Sequence, residues 1–396
     1  MSNLDELVKE LCPNGVKHIP LSDATEMKRG NAITQKDIIP GSIPVVAGGQ
    51  KPAYFCDRAN RDRDIITVAG SGAYAGYLSY WDCPIFVSDA FSVKAKENSL
   101  TKYIYYAMQS IQEKIYSSKK GGGVPHVHIS SIDKFRIPLP PLAVQQEIVR
   151  ILDSFTELTA ELTAELTARR KQYEYYRDQL LGMPPNGVLM TLGEIADYRR
   201  GSFPQPYGNA EWYGGEGAMP FVQVADVEEY GMILREETKQ HISKVAQPKS
   251  VFVPSGTVIC SIQGSIGRVA ITQYDSYVDR TLAIFEKYKV NINKRYFAYQ
   301  IQRKFGIEKE FARGSTLKTI TKEEFTKFEI PVPPIEEQER IVSILDRFDT
   351  LCNDLTSGLP AEIQARQKQY EYYRDKLLTF EQQKSTVYKG LHRVGI

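Results

Sequence analysis

No stretch of the sequence reaches the roughly 18 uninterrupted apolar residues that a membrane-spanning helix needs. The opening segment, MSNLDELVKELCPNG, is charged and helical in pattern, so no signal peptide is expected. Five cysteines (Cys12, Cys56, Cys83, Cys260 and Cys352) are odd in number, scattered and without a CxxC pair. That pattern argues against a disulfide framework and a zinc site, and for a reducing, cytoplasmic compartment with no membrane partner. There is no P-loop, HExxH or EF-hand string. Methyl transfer to a base amino nitrogen would call for an Asn/Asp-Pro-Pro-aromatic tetrapeptide, and the nearest strings, MPPN (183–186), LPPL (139–142) and VPPI (332–335), lack that order. Gly70-Ser-Gly-Ala-Tyr-Ala-Gly76 follows a strand-like run, but its spacing is wrong for a dinucleotide loop. The YLSYW after it reads as another strand, so the segment is expected to be a β-turn.

What is abundant is tyrosine, 24 residues against 2 tryptophans, a side chain that packs a ring while keeping a wet hydroxyl. With 396 residues the chain is long enough for two or three domains with sizeable cores. The net charge of +2 is uneven, about +3 over residues 1–136 and about +2 over 183–329, which permits local nucleic-acid-binding patches without demanding them.

The dominant feature is an internal repeat. Residues 137–155, IPLPPLAVQQEIVRILDSF, return at 330–348 as IPVPPIEEQERIVSILDRF with eleven of nineteen positions identical, and KQYEYYRDQLL (171–181) returns as KQYEYYRDKLL (368–378). Upstream the match is fainter: PNGV at 13–16 recurs at 185–188, and PLSDATEMKRG (20–30) resembles TLGEIADYRRG (191–201). The proline pairs Pro140-Pro141 and Pro333-Pro334 can occupy a first helical turn, where no backbone donor is missed. Beyond them Ile148, Ile151, Leu152, Phe155, Leu158, Leu162 and Leu166 fall three and four apart, as do Ile341, Ile344, Leu345, Phe348, Leu351 and Leu355. Each set predicts an amphipathic helix with one apolar stripe. The first runs unbroken from about 141 to 181, and its stripe must be buried against another helix, most simply that of its own repeat.

The fold class expected is therefore mixed α/β: two globular modules separated by two long antiparallel spacer helices in a coiled coil, with an internal pseudo-two-fold. The boundaries expected are a first module at 1–136, a spacer helix at 137–182, a second module at 183–329, a second spacer at 330–380 and a tail at 381–396. Between the shared phenylalanine and the shared KQYEYYRD, the first copy carries an ELTA tetrad three times (157–168) and the second carries TSGLPAE. Gly358 and Pro360 there are expected to interrupt the helix. The ELTA run reads either as a solvated helix with a leucine stripe or as a spacer, each tetrad adding about 6 Å and about 40° of rotation.

Within the modules, β-rich runs such as IPVVAG (43–48), DIITVAG (64–70) and VFVPSGTVICSI (251–262) alternate with Gly/Pro turns. Helical patterns follow at 101–117 and 293–311, each leading to a basic or glycine-bearing loop, SSKKGGGVPHVHIS and ARGSTLKTIT. These loops are candidate binding elements. Lys28 and Arg29 occupy a place equivalent to Arg199 and Arg200. Arg313, Thr316 and Lys318 stand where the first copy has Lys119, Lys120, His126 and His128, while Gln263, Ser265 and Arg268 belong to the glycine-bearing turn around GSIGR. The set suits a duplex, with lysines on phosphates, arginine on guanine and glutamine on adenine. Each residue taken alone also fits a solvated surface charge. His126 and His128 would project from one face of an extended segment, open to phosphate or base contact, a structural role or a metal pair lacking a neighbouring carboxylate or cysteine.

The whole pattern resembles the specificity subunit of Type I restriction–modification systems over residues 1–380. The features carrying it are the two proline-led IPLPPLAVQQEIVRILD and IPVPPIEEQERIVSILD segments, the two QYEYYRD helices and the two diverged modules. The resemblance implies that the modules are target-recognition domains, each reading one half of a split double-stranded DNA sequence. It further implies that the helices hold the modules apart and dock two methyltransferase subunits, with restriction/translocase subunits as further partners. This chain would then be non-catalytic and hold no cofactor or metal, with S-adenosylmethionine, ATP and Mg²⁺ on the partners. The missing catalytic strings agree with that. Three other readings stay open: a methylation-only complex, a self-contained DNA methyltransferase or nuclease with unfamiliar motifs, and a protein-only adaptor.

Overall fold

The computed structural model describes residues 3–383, apart from 35, 37, 122, 229–230, 312–321 and 355–356. Two compact units emerge: residues 1–160 with 365–396, and residues 161–364.

The first unit starts with α1 (Asn3–Leu11), β1 (His18–Pro20), α2 (Leu21–Ala24) and β2 (Thr25–Arg29). There follow β3 (Ile43–Val46), β4 (Tyr54–Cys56), β5 (Ile65–Ala69), β6 (Leu78–Trp81), β7 (Phe86–Val87) and β8 (Ala90–Ala95). Four strands form a sheet in the order β2-β8-β5-β6, and three more a smaller one, β4-β3-β7. All five residues of β5 are buried, as a continuous Ile-Ile-Thr-Val-Ala run in a central strand should be. Between β5 and β6 lies the expected turn, for the two pair antiparallel from Ile65–Trp81 to Val68–Leu78. Residues 101–117 form two helices, α3 (Thr101–Ser110) and α4 (Gln112–Ser117), with the break at Ile111. Tyr103, Ile104, Tyr106, Ala107 and Met108 give α3 its buried face. After α5 (Ile129–Ile132), β9 (Arg136–Pro138) closes the module by pairing with β1, so IPLP begins as strand and the helix starts only after the prolines.

That helix, α6 (Leu142–Gly182), is unbroken over 41 residues. Its Val144, Ile148 and Leu152 join the first unit's core together with Leu378, and Tyr370 and Leu377 pack alongside. Phe155 stacks on Tyr373 at 5.4 Å. The first spacer helix thus meets the QYEYYRD segment of the other repeat, as its stripe required.

The second unit repeats the plan with β10 (Val188–Thr191), α7 (Leu192–Ile195), β11 (Ala196–Arg200), β12 (Met219–Val222), β13 (Gln240–Ile242) and β14 (Val251–Val253). These lead into β15 (Val258–Ser261), β16 (Val269–Ile271), β17 (Ser276–Val278) and β18 (Leu282–Tyr288). Its main sheet runs β11-β18-β15-β16, the same order as in the first unit, beside a second sheet β13-β12-β17-β14. Then come α8 (Lys294–Phe311), α9 (Lys322–Thr326), β19 (Glu329–Val332, pairing with β10) and α10 (Ile335–Asn353). Along α10 and the end of α6 the contacts run in opposite directions: Arg170 reaches the Cys352 carbonyl, and Tyr173 and Tyr176 pack on Phe348. Ile341, Leu345 and Leu181 share one core. The pair is antiparallel.

α11 (Leu359–Leu377) begins after the interruption expected at Gly358 and Pro360. A Cβ on Gly358 would stand 2.5 Å from the Thr350 carbonyl oxygen, so only glycine lets the chain fold back this tightly. Pro360 sits in the first turn of α11, where its missing N–H costs nothing.

The proline–glutamine spacing of the repeat acquires a physical reason here. Gln145 is fully buried; its Oε1 accepts the Leu100 N–H (2.9 Å) and its Nε2 donates to the carbonyls of Pro140 (2.7 Å) and Asn98 (3.1 Å). Gln338 does the same in the second unit, accepting from Asn293 (2.8 Å) and donating to Pro333 (2.8 Å) and Asn291 (3.5 Å). One amide therefore ties the start of each spacer helix to the loop that launches the module helix. About two turns onward, Asp153 accepts from Tyr106 and pairs with Lys102, and Asp346 accepts from Tyr299 and pairs with Arg295. Asp349, one turn beyond Asp346, is held above the usual carboxylate range by burial, against a lowering by Asn353 and Arg295.

Burial raises the phenols of Tyr103, Tyr106, Tyr173, Tyr296, Tyr299 and Tyr370, that of Tyr296 to about 12. In the unfolded chain these groups lose their protons near their ordinary value of 10. The folded state keeps protons that the unfolded state releases, so stability is intact below about pH 10 and falls as pH rises beyond it. A pH titration followed by tyrosinate absorbance should therefore show these phenols ionising together with the loss of far-UV ellipticity. Smooth ionisation in a still-folded protein would contradict this.

Candidate nucleic-acid interface

The equivalence of the two modules can be set residue by residue from backbone hydrogen bonds. Ser88 N–H donates to the Val46 carbonyl and Asp279 N–H to Val222; Asn31 donates to Val87 and Ser202 to Val278. Gly70 N–H donates to Asp89 and Ile262 N–H to Thr281, while Gly76 donates to Ala69 and Gly267 to Ser261. Gly72 and Gly264 both take a left-handed φ, +82° and +77°. A corner thus recurs in each module, where the end of the first main-sheet strand, the β5–β6 or β15–β16 turn and the β7–β8 or β17–β18 connection meet. Gly30 and Gly201 make that meeting possible, because a Cβ on either would lie 2.1 Å from a carbonyl of the facing strand, Ser88 or Val278.

In the first module the corner opens into a shallow cleft of about 430 Å³ lined by Arg29, Asp89, His126 and His128. The HVH segment is anchored by a hairpin in which Lys120 and His126 exchange backbone bonds of 2.9 and 2.8 Å, and Val127 N–H reaches Gly70 at 3.0 Å. The two imidazoles lie 6.0 Å apart and nearly parallel, so they do project from one face. The structure therefore brings Arg29, Lys120, His126 and His128 together. Lys28 precedes Arg29 in β2 and so projects from the opposite face of the strand, where it pairs with Glu26 at 2.8 Å, and Lys119 rests on the Tyr116 ring at 4.5 Å. Such solvent-exposed pairs hold little energy and yield readily to a polyanion.

In the second module Arg199, paired with Glu286 at 2.9 Å, and Arg200 end β11, and exposed Gln263 sits in the turn at the same corner. Arg268 is not brought there. Its guanidinium donates to the Val227 carbonyl at 3.0 Å and lines a different cleft, of about 480 Å³, with Arg170 and Arg177. Arg313, Thr316 and Lys318 lie outside the described residues.

Two residues of this corner carry no signal in the sequence. Ser71, which donates to Asp89, is the backbone counterpart of Gln263, although the Gly70–Gly76 segment reads only as a turn. Arg280 stands between Asp279 and Thr281 in the connection that in the first module runs directly from Ser88 to Asp89. Among the described residues no cluster of three or more His, Cys, Asp or Glu is placed to hold a metal ion, and no helix is long and apolar enough to cross a membrane.

Two like-folded modules, each with a cationic corner, joined through matched amphipathic helices, define a repeated DNA-specificity architecture. The family model described as the Type I restriction modification DNA specificity domain matches twice, over residues 13–169 and 186–365, and the chain belongs to that family. It is 36% identical over 297 residues to the Escherichia coli Type I restriction enzyme EcoR124I/EcoR124II specificity subunit, covering 71% of each chain. Among solved structures, a chain from a study of complex assembly and conformational transition in the type I R-M system superposes with a TM-score of 0.61 at 20% identity, covering 92% of this chain and 98% of that one. The S subunit from M. genitalium superposes with a TM-score of 0.59 at 18% identity, covering 92% and 96%. At those identities the likeness is one of fold.

Proposed function

We propose that this chain selects the DNA target of a Type I restriction–modification complex, each module reading one half of a bipartite duplex sequence. The observation that carries this is the corner: corresponding backbone bonds in both modules, furnished with unlike side chains. A protein reading two different half-sites needs one scaffold and two sets of base-facing groups. Arg29, Lys120, His126 and His128 serve the first half-site, with Lys28 and Lys119 on flanking phosphates. Arg199, Arg200 and Gln263 serve the second, where Arg313, Thr316 and Lys318 are further candidates. The recognition domains correspond to residues 1–136 and 183–329.

The helices carry the opposite pattern. Tyr175 and Tyr372 hold the same place in the two QYEYYRD segments and are 61% and 62% exposed. Equal exposed aromatics in a near-identical sequence suit two copies of one partner, here two methyltransferase subunits, as does the enrichment of tyrosine at interfaces. Restriction/translocase subunits complete the complex, which works in the cytoplasm. The chemistry belongs to those partners: S-adenosylmethionine on the methyltransferase, ATP and Mg²⁺ on the restriction subunits, with this chain non-catalytic.

The test is methylation mapping of DNA modified by the assembled complex, which should return two short defined sequences around an undefined gap. Duplexes lacking either half should lose specific binding, leaving salt-sensitive non-specific affinity about 10³-fold weaker or more. Equal affinity for an isolated half-site would speak against two-module reading, and robust turnover by the pure chain would make it an enzyme.

A further inference from the structure

The β17–β18 connection of the second module holds one residue more than the β7–β8 connection of the first, and that residue is an arginine. Backbone bonds equate Ser88 with Asp279 and Asp89 with Thr281, so Arg280 is inserted between two matched positions. The residues on either side are firmly held. The Asp279 N–H donates to Val222, and its buried carboxylate accepts from Thr281, backbone at 3.0 Å and hydroxyl at 2.6 Å, and from the Tyr207 hydroxyl. The side chain of Arg280 is itself exposed, and its guanidinium lies over the Tyr207 ring, 5.3 Å from the centroid. That ring is fixed from behind: Tyr207 stacks on Phe203 at 5.1 Å, and Phe203 on the buried Phe221 at 4.4 Å.

An exposed arginine ordinarily loses side-chain entropy when it engages a partner. Here an aromatic platform already restricts it, while the side chain stays exposed to solvent. On its two sides the corner supplies Arg200, whose neighbour Gly201 abuts the Asp279 carbonyl, and Gln263, whose neighbour Ile262 bonds the Thr281 carbonyl. We propose that Arg280 is a specificity-determining residue of the second module, presenting its guanidinium to the O6/N7 edge of a guanine in the major groove. The proposal rests on the DNA-reading assignment above. It adds which added side chain makes the second half-site differ from the first, since a bidentate arginine–guanine contact is the commonest base-specific one.

The experiment uses the full chain assembled with its methyltransferase subunits, and maps the modified motif for wild type, Arg280→Ala and Arg280→Lys. In parallel, binding is measured to duplexes changed one base pair at a time. Both variants should relax one base pair of one half-site, lowering discrimination there by about tenfold to a hundredfold. The other half-site and the gap should be untouched. Arg280→Lys keeps the charge but not the fork, so it separates base reading from phosphate attraction and serves if the alanine variant folds poorly. Tyr207→Ala, which removes the platform, should relax the same base pair less. A motif unchanged in Arg280→Ala and Arg280→Lys, or a uniform loss of affinity across all sequences, overturns the assignment. Wild type yielding no bipartite motif would instead sink the DNA-reading assignment on which it rests.

Discussion

Removing one ELTA tetrad, Glu161–Ala164, is expected to leave both half-sites unchanged and to shorten the undefined gap between them by one or two base pairs. α6 is one continuous helix across this segment, so four residues remove about 6 Å of rise and about 40° of rotation. A duplex advances 3.4 Å and about 35° per base pair, so the lost rise corresponds to nearly two base pairs and the lost rotation to about one. The deletion should be tolerated, because no residue of 157–168 is fully buried. Leu158, Leu162 and Leu166 are half-buried, while every glutamate of the run is exposed. Losing one of three identical tetrads preserves the leucine stripe and moves no core side chain. On the parental target the variant should fall towards non-specific affinity, a loss of about 10³-fold or more, and recover on a target with the shorter gap. Methylation mapping reads both outcomes directly. An unchanged gap would reduce the run to an ordinary solvated helix.

Gln145→Glu and Gln338→Glu should be among the most destabilising isosteric changes in the protein. Each amide is buried with one acceptor and two donors engaged on backbone groups. In a carboxylate the oxygen that replaces Nε2 would face two carbonyl oxygens without a proton between them. The group must then be neutral in the folded state, which at pH 7 costs about 4 kcal/mol from its ordinary value near 4.3. Even the neutral acid offers one donor for two acceptors, adding about 1–3 kcal/mol. Against a total stability of about 5–15 kcal/mol, this is a large fraction. The signature is its pH dependence. The folded pKa lies above the unfolded one, so the protonation cost is fully present at neutral pH and shrinks as pH falls towards 4.3. Gln→Leu should also destabilise, by about 3 kcal/mol through unpaired backbone groups, but without the pH dependence. Denaturant melts at pH 7 and pH 5 would separate the two, and a Glu variant as stable as wild type at pH 7 would show that this amide is not the anchor.

Much of the architecture was legible because it is periodic. Leucines and isoleucines spaced three and four apart define the spacer helices, and a proline pair marks where each can start. Gly358 and Pro360 announce the break between α10 and α11 for a steric reason that acts locally. The turn at Gly70–Gly76 was equally readable, since the strands on either side are nearly adjacent in sequence. The break at Ile111 was not: the apolar pattern runs through 101–117 without a proline or glycine to mark it.

The candidate interface divides in the same way. That Lys28–Arg29 and Arg199–Arg200 correspond was visible from the faint module repeat. That Arg29 shares a cleft with His126 and His128 depends on β2 pairing with β8, and β8 with β5, contacts between distant segments that no local pattern encodes. Arg268 shows the converse. It lies in a glycine-bearing turn that looks suited to DNA, yet its guanidinium is taken up by the Val227 carbonyl.

By itself, then, the sequence determined that there are two copies of one unit, where their helices begin and break, and that the helices kept a shared surface while the modules diverged. Those properties follow from spacing, turn sterics and identity along the chain. Only the tertiary structure decided which cationic side chains stand at one corner, why a buried glutamine must follow each proline pair, and that an inserted Arg280 lies on Tyr207. Each of these is a contact between residues far apart in sequence, set by strand order and core packing rather than by any local preference.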